Sequence, residues 1–218
     1  FDKHTDIDLY KLSKCKDYDT FINTIDKAEY KRILMQYKPD ENGAIDLAGV
    51  ENALDIYSHK ELYDAISKRK SKKEKANLKQ LCDYVNDFCN LSRILRIKKY
   101  YTMSSEQCKS HLLPFGTINQ KTIDKMCEAK SIDEIFELMT TTRIGKRITN
   151  MSLEKEEQIS LKSRYMVCRK NLYYSMEPAV VLLSYMYVSE VELKNIITII
   201  EGVRYNSSAD RIKQLLIF

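Results

Sequence analysis

A chain of 218 residues with 44% hydrophobic and 31% charged positions can bury roughly 70% of its unfolded surface, so neither disulfides nor a structural metal is needed to hold it. Five glycines and three prolines leave few turn residues for a many-stranded β fold and no Gly-rich phosphate cradle, which predicts an all-α chain. The formal charge of +5 would suit a nucleic-acid binder, but residues 68–75 hold six basic side chains and one acid, and the remaining 30 basic and 30 acidic residues balance.

Taken in chain order, Lys16-Asp17-Tyr18-Asp19-Thr20-Phe21-Ile22 predicts a helix behind an Asp cap and leads to Lys31-Arg32-Ile33. Lys38-Pro39-Asp40-Glu41-Asn42-Gly43 breaks the pattern, and a mid-length helix follows. The basic run Lys68-Arg69-Lys70-Ser71-Lys72-Lys73-Glu74-Lys75 reads first as a solvated connection or helix end. From about Lys75 to Tyr100, apolar groups at Leu78, Leu81, Cys82, Val85, Phe88, Cys89, Leu91, Ile94, Leu95 and Ile97 step at i, i+3, i+4, the mark of a long helix with a broad buried stripe. Ser104-Ser105 then caps a short helix ending in Leu112-Leu113, and Leu113-Pro114-Phe115-Gly116 is the next break. Further helical pieces begin at Lys130-Ser131-Ile132 and run to the break at Arg143-Ile144-Gly145 and to Lys146-Arg147-Ile148. Pro178, well placed at a first helical position, opens a second long helix to about Val203. Its apolar opening, Pro178 to Val188, is half of what spans a bilayer and reads as a buried helix start.

The chain resembles itself. Asp87-x-x-Asn90-Leu91 is followed by Lys99-Tyr100, Ser104-Ser105 and Leu112-Leu113; Glu192-x-x-Asn195-Ile196 is followed by Arg204-Tyr205, Ser207-Ser208 and Leu215-Leu216. With the weaker echo of the Lys16–Ile33 segment in residues 130–148, two helical repeats are predicted, 1–114 and 115–218.

The residues Asp87-x-x-Asn90-Leu91-x-Arg93-x-Leu95-Arg96-x-Lys98, Leu112-Leu113-Pro114-Phe115-Gly116, and Tyr185-x-Tyr187-Val188-x-Glu190-x-Glu192-Leu193-Lys194-Asn195-Ile196 through Arg204-Tyr205 resemble the C-subunit family of V-type (vacuolar/archaeal-type) ATPases, whose eukaryotic form is the d-subunit. The resemblance implies helical units around a pseudo-threefold axis, a funnel-like architecture, of which this chain shows two; a start at Phe1-Asp2-Lys3-His4 without methionine fits loss of the first. It also implies a non-catalytic adaptor at the cytoplasmic face of the membrane, peripheral to it, joining central shaft subunits to the membrane rotor ring in ATP-coupled proton or sodium transport. No cofactor is implied.

For Asp87, Asn90, Glu190, Glu192 and Asn195 three roles stay open: structural, lining a cavity toward the shaft, or catalytic, the last weakened because no nucleophile–base or metal set accompanies them. Arg93, Arg96, Lys98 and Lys99 suit the negative end of a helix dipole, and Arg93, Arg96 and Arg204 are also candidates for a partner interface. Lys68, Arg69, Lys70, Lys72, Lys73 and Lys75 are candidates for contact with anionic lipid headgroups. A helical nucleic-acid-binding or regulatory module using that cluster is the alternative, with only salt-sensitive, non-specific affinity expected. Tyr84, Tyr173, Tyr174, Tyr185 and Tyr187 read as core-edge residues without basic interleaving. Six cysteines without a CxxC pair, beside only three histidines, predict reduced thiols and no zinc site.

Overall fold

Side-chain caps set most helix starts in this protein, whose computed structural model describes residues 7–145 and 156–218, with side chains in the second segment from 161 onward. Asp8 and Asp17 cap α1 (Leu9–Ser13) and α2 (Tyr18–Thr24); α3 (Ala28–Leu34) and α4 (Leu47–Ser67) follow. Ser71 caps α5 (Lys72–Tyr100), and Ser104 forms a reciprocal capping box with Gln107 at α6 (Ser105–Ser110). Asn119 and Ser131 cap α7 (Gln120–Glu128) and α8 (Ile132–Thr140). The remaining helices are α9 (Glu156–Tyr174), α10 (Pro178–Arg204), with Pro178 at its start as predicted, and α11 (Ala209–Leu215), capped by Ser208. No strand occurs among the described residues, so the all-α reading holds. No helix among them is long and apolar enough to cross a membrane. Residues 146–148, part of the predicted echo, lie outside the described residues.

Packing divides the chain into two compact units, up to Leu62 and from Tyr63, with the boundary inside α4. That division follows contacts, whereas 114/115 divides internal likeness of sequence. The first unit has a small core of Ile22, Ile25 and Leu34, beside which the Tyr18 hydroxyl donates to the Leu34 carbonyl. In the second unit α5 is the spine. Phe88, Leu91, Ile94 and Leu95 pack with Cys108 of α6, Met126 and Cys127 of α7, and Ile135 and Met139 of α8. Helix α9 packs along both α5 and α10.

Three expectations change. Helix α5 begins three residues before Lys75, because Ser71 accepts from the Glu74 amide and starts it. Helix α6 ends at Ser110, short of Leu112-Leu113, because Leu113 turns its backbone toward Asn90. The opening of α10 is buried on one side only: Val180, Ser184 and Val188 face inward, while Leu182, Tyr185 and Met186 are about 60% exposed.

Candidate partner interface

A polar seam runs inside α5. Asp83, Asn86, Asp87 and Asn90 recur at helical spacing and all are buried. Asn90 donates from Nδ2 to the carbonyls of Leu113 (2.9 Å) and Phe115 (3.4 Å) and accepts from the Leu113 amide at 2.8 Å. Asp87 accepts from the Thr117 amide (2.9 Å), the Thr117 hydroxyl (2.6 Å) and the Ile118 amide (3.2 Å). Gly116 lies between them at φ 132°, a conformation that side chains avoid, and a Cβ there would collide with the Asp87 carboxylate. Burial raises the Asp87 pKa from its ordinary value, against the pull of the Thr117 and Ile118 bonds. Asp87 and Asn90 therefore hold the chain's own loop, and a partner surface cannot reach them.

Asp83, Asn86 and Tyr63 escaped the sequence reading. The Tyr63 hydroxyl donates to Asp83 at 2.6 Å and accepts from Asn86 at 3.0 Å, while the ring stacks on Phe115 at 4.8 Å. Burial, then the Asp83 bond, pushes the Tyr63 phenol well up, so it stays a proton donor. The signal available in the sequence was the spacing 83, 86, 87, 90 within an apolar helix.

A similar lock occurs at Asn195, on the second long helix. Asn195 donates to the Ile217 carbonyl at 2.7 Å and accepts from the Ile217 amide at 2.9 Å. Leu113 lies nine residues beyond its helix cap Ser104, and Ile217 nine beyond Ser208. In each case an asparagine of the long helix holds the chain leaving the short one, through both groups of one residue. Gly202 assists at α11: a Cβ there would come within 2.5 Å of Ile212.

The remaining candidates divide by exposure. Arg93 is half-buried and donates to the His111 carbonyl at 2.8 Å, whereas Arg96 is exposed. Glu190 pairs with Arg164 (2.9 Å) and Lys194 (3.1 Å). Burial acts to raise its pKa, but the Arg164 and Lys194 charges prevail and the net shift is downward. Glu192 and Arg204 are exposed, Arg204 lying 5.8 Å from the Tyr205 ring. In the basic cluster Arg69 pairs with Glu74 at 2.6 Å and Lys73 with Glu177 at 3.5 Å; Lys68, Lys70 and Lys72 are exposed, and Lys75 is half-buried.

Burial pushes the Cys82 and Cys168 thiols up to about 12, which keeps them protonated and weakly nucleophilic. No group of three metal-ligating side chains occurs among the described residues.

The larger surface is apolar. Leu182, Met186, Leu193, Ile196, Ile200 and Val203 are 54–65% exposed, and Ile197 and Ile199 are 45% and 41% exposed. With Ser189 the first six alternate steps of four and three residues along α10, the spacing of a seam that accepts another helix. Asn195, which holds Ile217, and Gly202, which meets α11 at Ile212, lie on the opposite side of the helix.

A family model described as "ATP synthase (C/AC39) subunit" matches residues 1–215. No curated protein matches the chain.

Proposed function

The chain belongs to the ATP synthase (C/AC39) subunit family, a stalk subunit of V/A-type ATPases, and from that premise we propose that it is the non-catalytic adaptor that couples the central shaft to the membrane rotor ring. The observation that carries this reading is the exposed heptad seam of α10. A run of large aliphatic side chains on one helix face, spaced for knobs-into-holes packing, suits a protein partner with a helix of its own. We place the foot of the shaft there, with Glu192 and Arg204 beside the seam as polar contacts and Arg96 as a separate contact with an acidic partner group. Behind the seam lies a body held by side-chain locks and a close-packed core, suited to passing torque without deforming.

The two-repeat organisation, 1–114 and 115–218, is part of the proposal and is supported by the Asn90–Leu113 and Asn195–Ile217 pairs. The adaptor would act at the cytoplasmic face, peripheral to the bilayer, in ATP-coupled proton or sodium transport. Affinity purification of the tagged full chain from its native membranes tests the reading. Recovery of shaft and ring subunits together is expected. Recovery of neither, with salt-dependent retention on nucleic acid instead, would overturn it.

A further inference from the structure

Two exposed features distant in sequence meet at one end of the second unit. The first is basic: Lys68, Lys70 and Lys72, all exposed, and the half-buried Lys75 make no ion pair among the described residues, unlike their neighbours Arg69 and Lys73. The second is apolar: Tyr173, Tyr174 and Met176, at the turn from α9 to α10, are 72%, 77% and 92% exposed. This corrects the core-edge reading of Tyr173 and Tyr174. Glu177 joins the two features, accepting from Asn77 Nδ2 while pairing with Lys73. Between them a recess of about 300 Å³ is lined by Asn77 and Gln80 of α5 and by Lys170, Asn171 and Tyr174 of α9. Arg169 and Lys170 are exposed one turn before the tyrosines, and no acid occurs from 165 to 176. Arg169 and Lys170 thus give these rings basic neighbours in the sequence itself, and the fold adds the lysines at the start of α5.

Unpaired lysines beside a bare Tyr-Tyr-Ser-Met turn fit a partner that is anionic on its surface and apolar just beneath it. An anionic bilayer has that profile. Its headgroup charge attracts lysines, while tyrosine rings favour the boundary between headgroups and acyl chains. Stable attachment to a membrane surface generally takes two such signals together. We infer that this end of the unit is a membrane-surface contact, with Lys68, Lys70, Lys72 and Lys75 on the headgroup phosphates of anionic lipid and Tyr173, Tyr174 and Met176 inserted at the acyl boundary. The inference goes beyond the stalk assignment and stands without it, since the chain alone carries both signals.

The test is flotation of the full chain with vesicles of phosphatidylcholine, with and without phosphatidylserine. Binding is expected only with the anionic lipid. Replacing the four lysines by glutamine should weaken it at least about a hundredfold. Replacing Tyr173, Tyr174 and Met176 by serine should weaken it about tenfold although every charge remains. Because the chain has no tryptophan, Met176→Trp places a single indole in the turn; its emission should shift to the blue on binding and be quenched by brominated acyl chains. Unchanged helicity by circular dichroism confirms that the variants fold. Equal binding to neutral vesicles, binding without an indole shift, or serine variants that bind like wild type would each overturn the inference, as would binding only to RNA added in place of vesicles.

Discussion

The two long helices use one device in different surroundings. Around Asn90, α5 is enclosed on nearly every side, with fourteen of its 29 residues buried. Around Asn195, α10 buries only Val180, Ser184, Val188 and Val191 and presents aliphatic side chains outward. Since the asparagine lock closes in both, the difference lies in what packs on the other face of the helix. Helix α5 is a core element, whereas α10 leaves an apolar face exposed on the outside of the unit.

Removing each lock should separate the two surroundings most clearly. Asn90→Ala leaves the buried Leu113 backbone without a partner for either polar group, and about 3 kcal/mol of stability should be lost in urea unfolding. Asn195→Ala removes the same pair from a residue, Ile217, that is also buried, but Asn195 itself is half-exposed and water can take over part of the pairing, so a smaller loss of about 1 kcal/mol is expected. Equal losses would break the comparison. Between those two in size, Asp87→Asn cannot accept all the bonds that the carboxylate takes and should cost about 2 kcal/mol near neutral pH.

The two acids differ in the sign of their pH dependence. Burial raises the Asp87 pKa above its unfolded value of 3.8, so the folded state retains the proton longer and stability falls as pH rises from 3.8 through the raised value. Glu190 is depressed below 4.5, so its contribution is present above 4.5 and is lost as pH falls through the folded value. Stability measured across acid pH should lose the first slope in Asp87→Asn and the second in Glu190→Gln. The Glu190 effect should be only a few tenths of a kcal/mol, because its side chain is 43% exposed and solvent screens the pair. Similarly small for the isolated chain, Ile196→Ser with Ile200→Ser should alter stability by no more than about 0.5 kcal/mol per site, since both side chains already face water.

Much of this architecture was legible in the sequence. The apolar period from Leu78 to Ile97 and the placement of Pro178 gave both long helices, and the matching asparagines were visible as a repeat. The start of α5 was misplaced because Lys72–Lys75 carries no apolar period, only the Ser71 cap. Periodicity also identifies an apolar face without saying what covers it, so the opening of α10 read as core. The contacts of Asp87 and Asn90 arise from a loop more than twenty residues away, which local spacing does not reveal. The same limit hid Tyr63 and the meeting of Tyr173 and Tyr174 with the lysine cluster.

A photo-reactive benzoylphenylalanine at position 196, introduced into the chain within the assembled ATPase, tests most directly whether the seam of α10 is where the stalk engages its partner. The adduct identified by mass spectrometry should contain a protein of the central shaft, and the yield should collapse when Leu193 and Ile200 are both changed to serine. Adducts confined to the ring, or to this chain itself, with shaft retention unchanged in the Leu193 and Ile200 variant, would contradict the account.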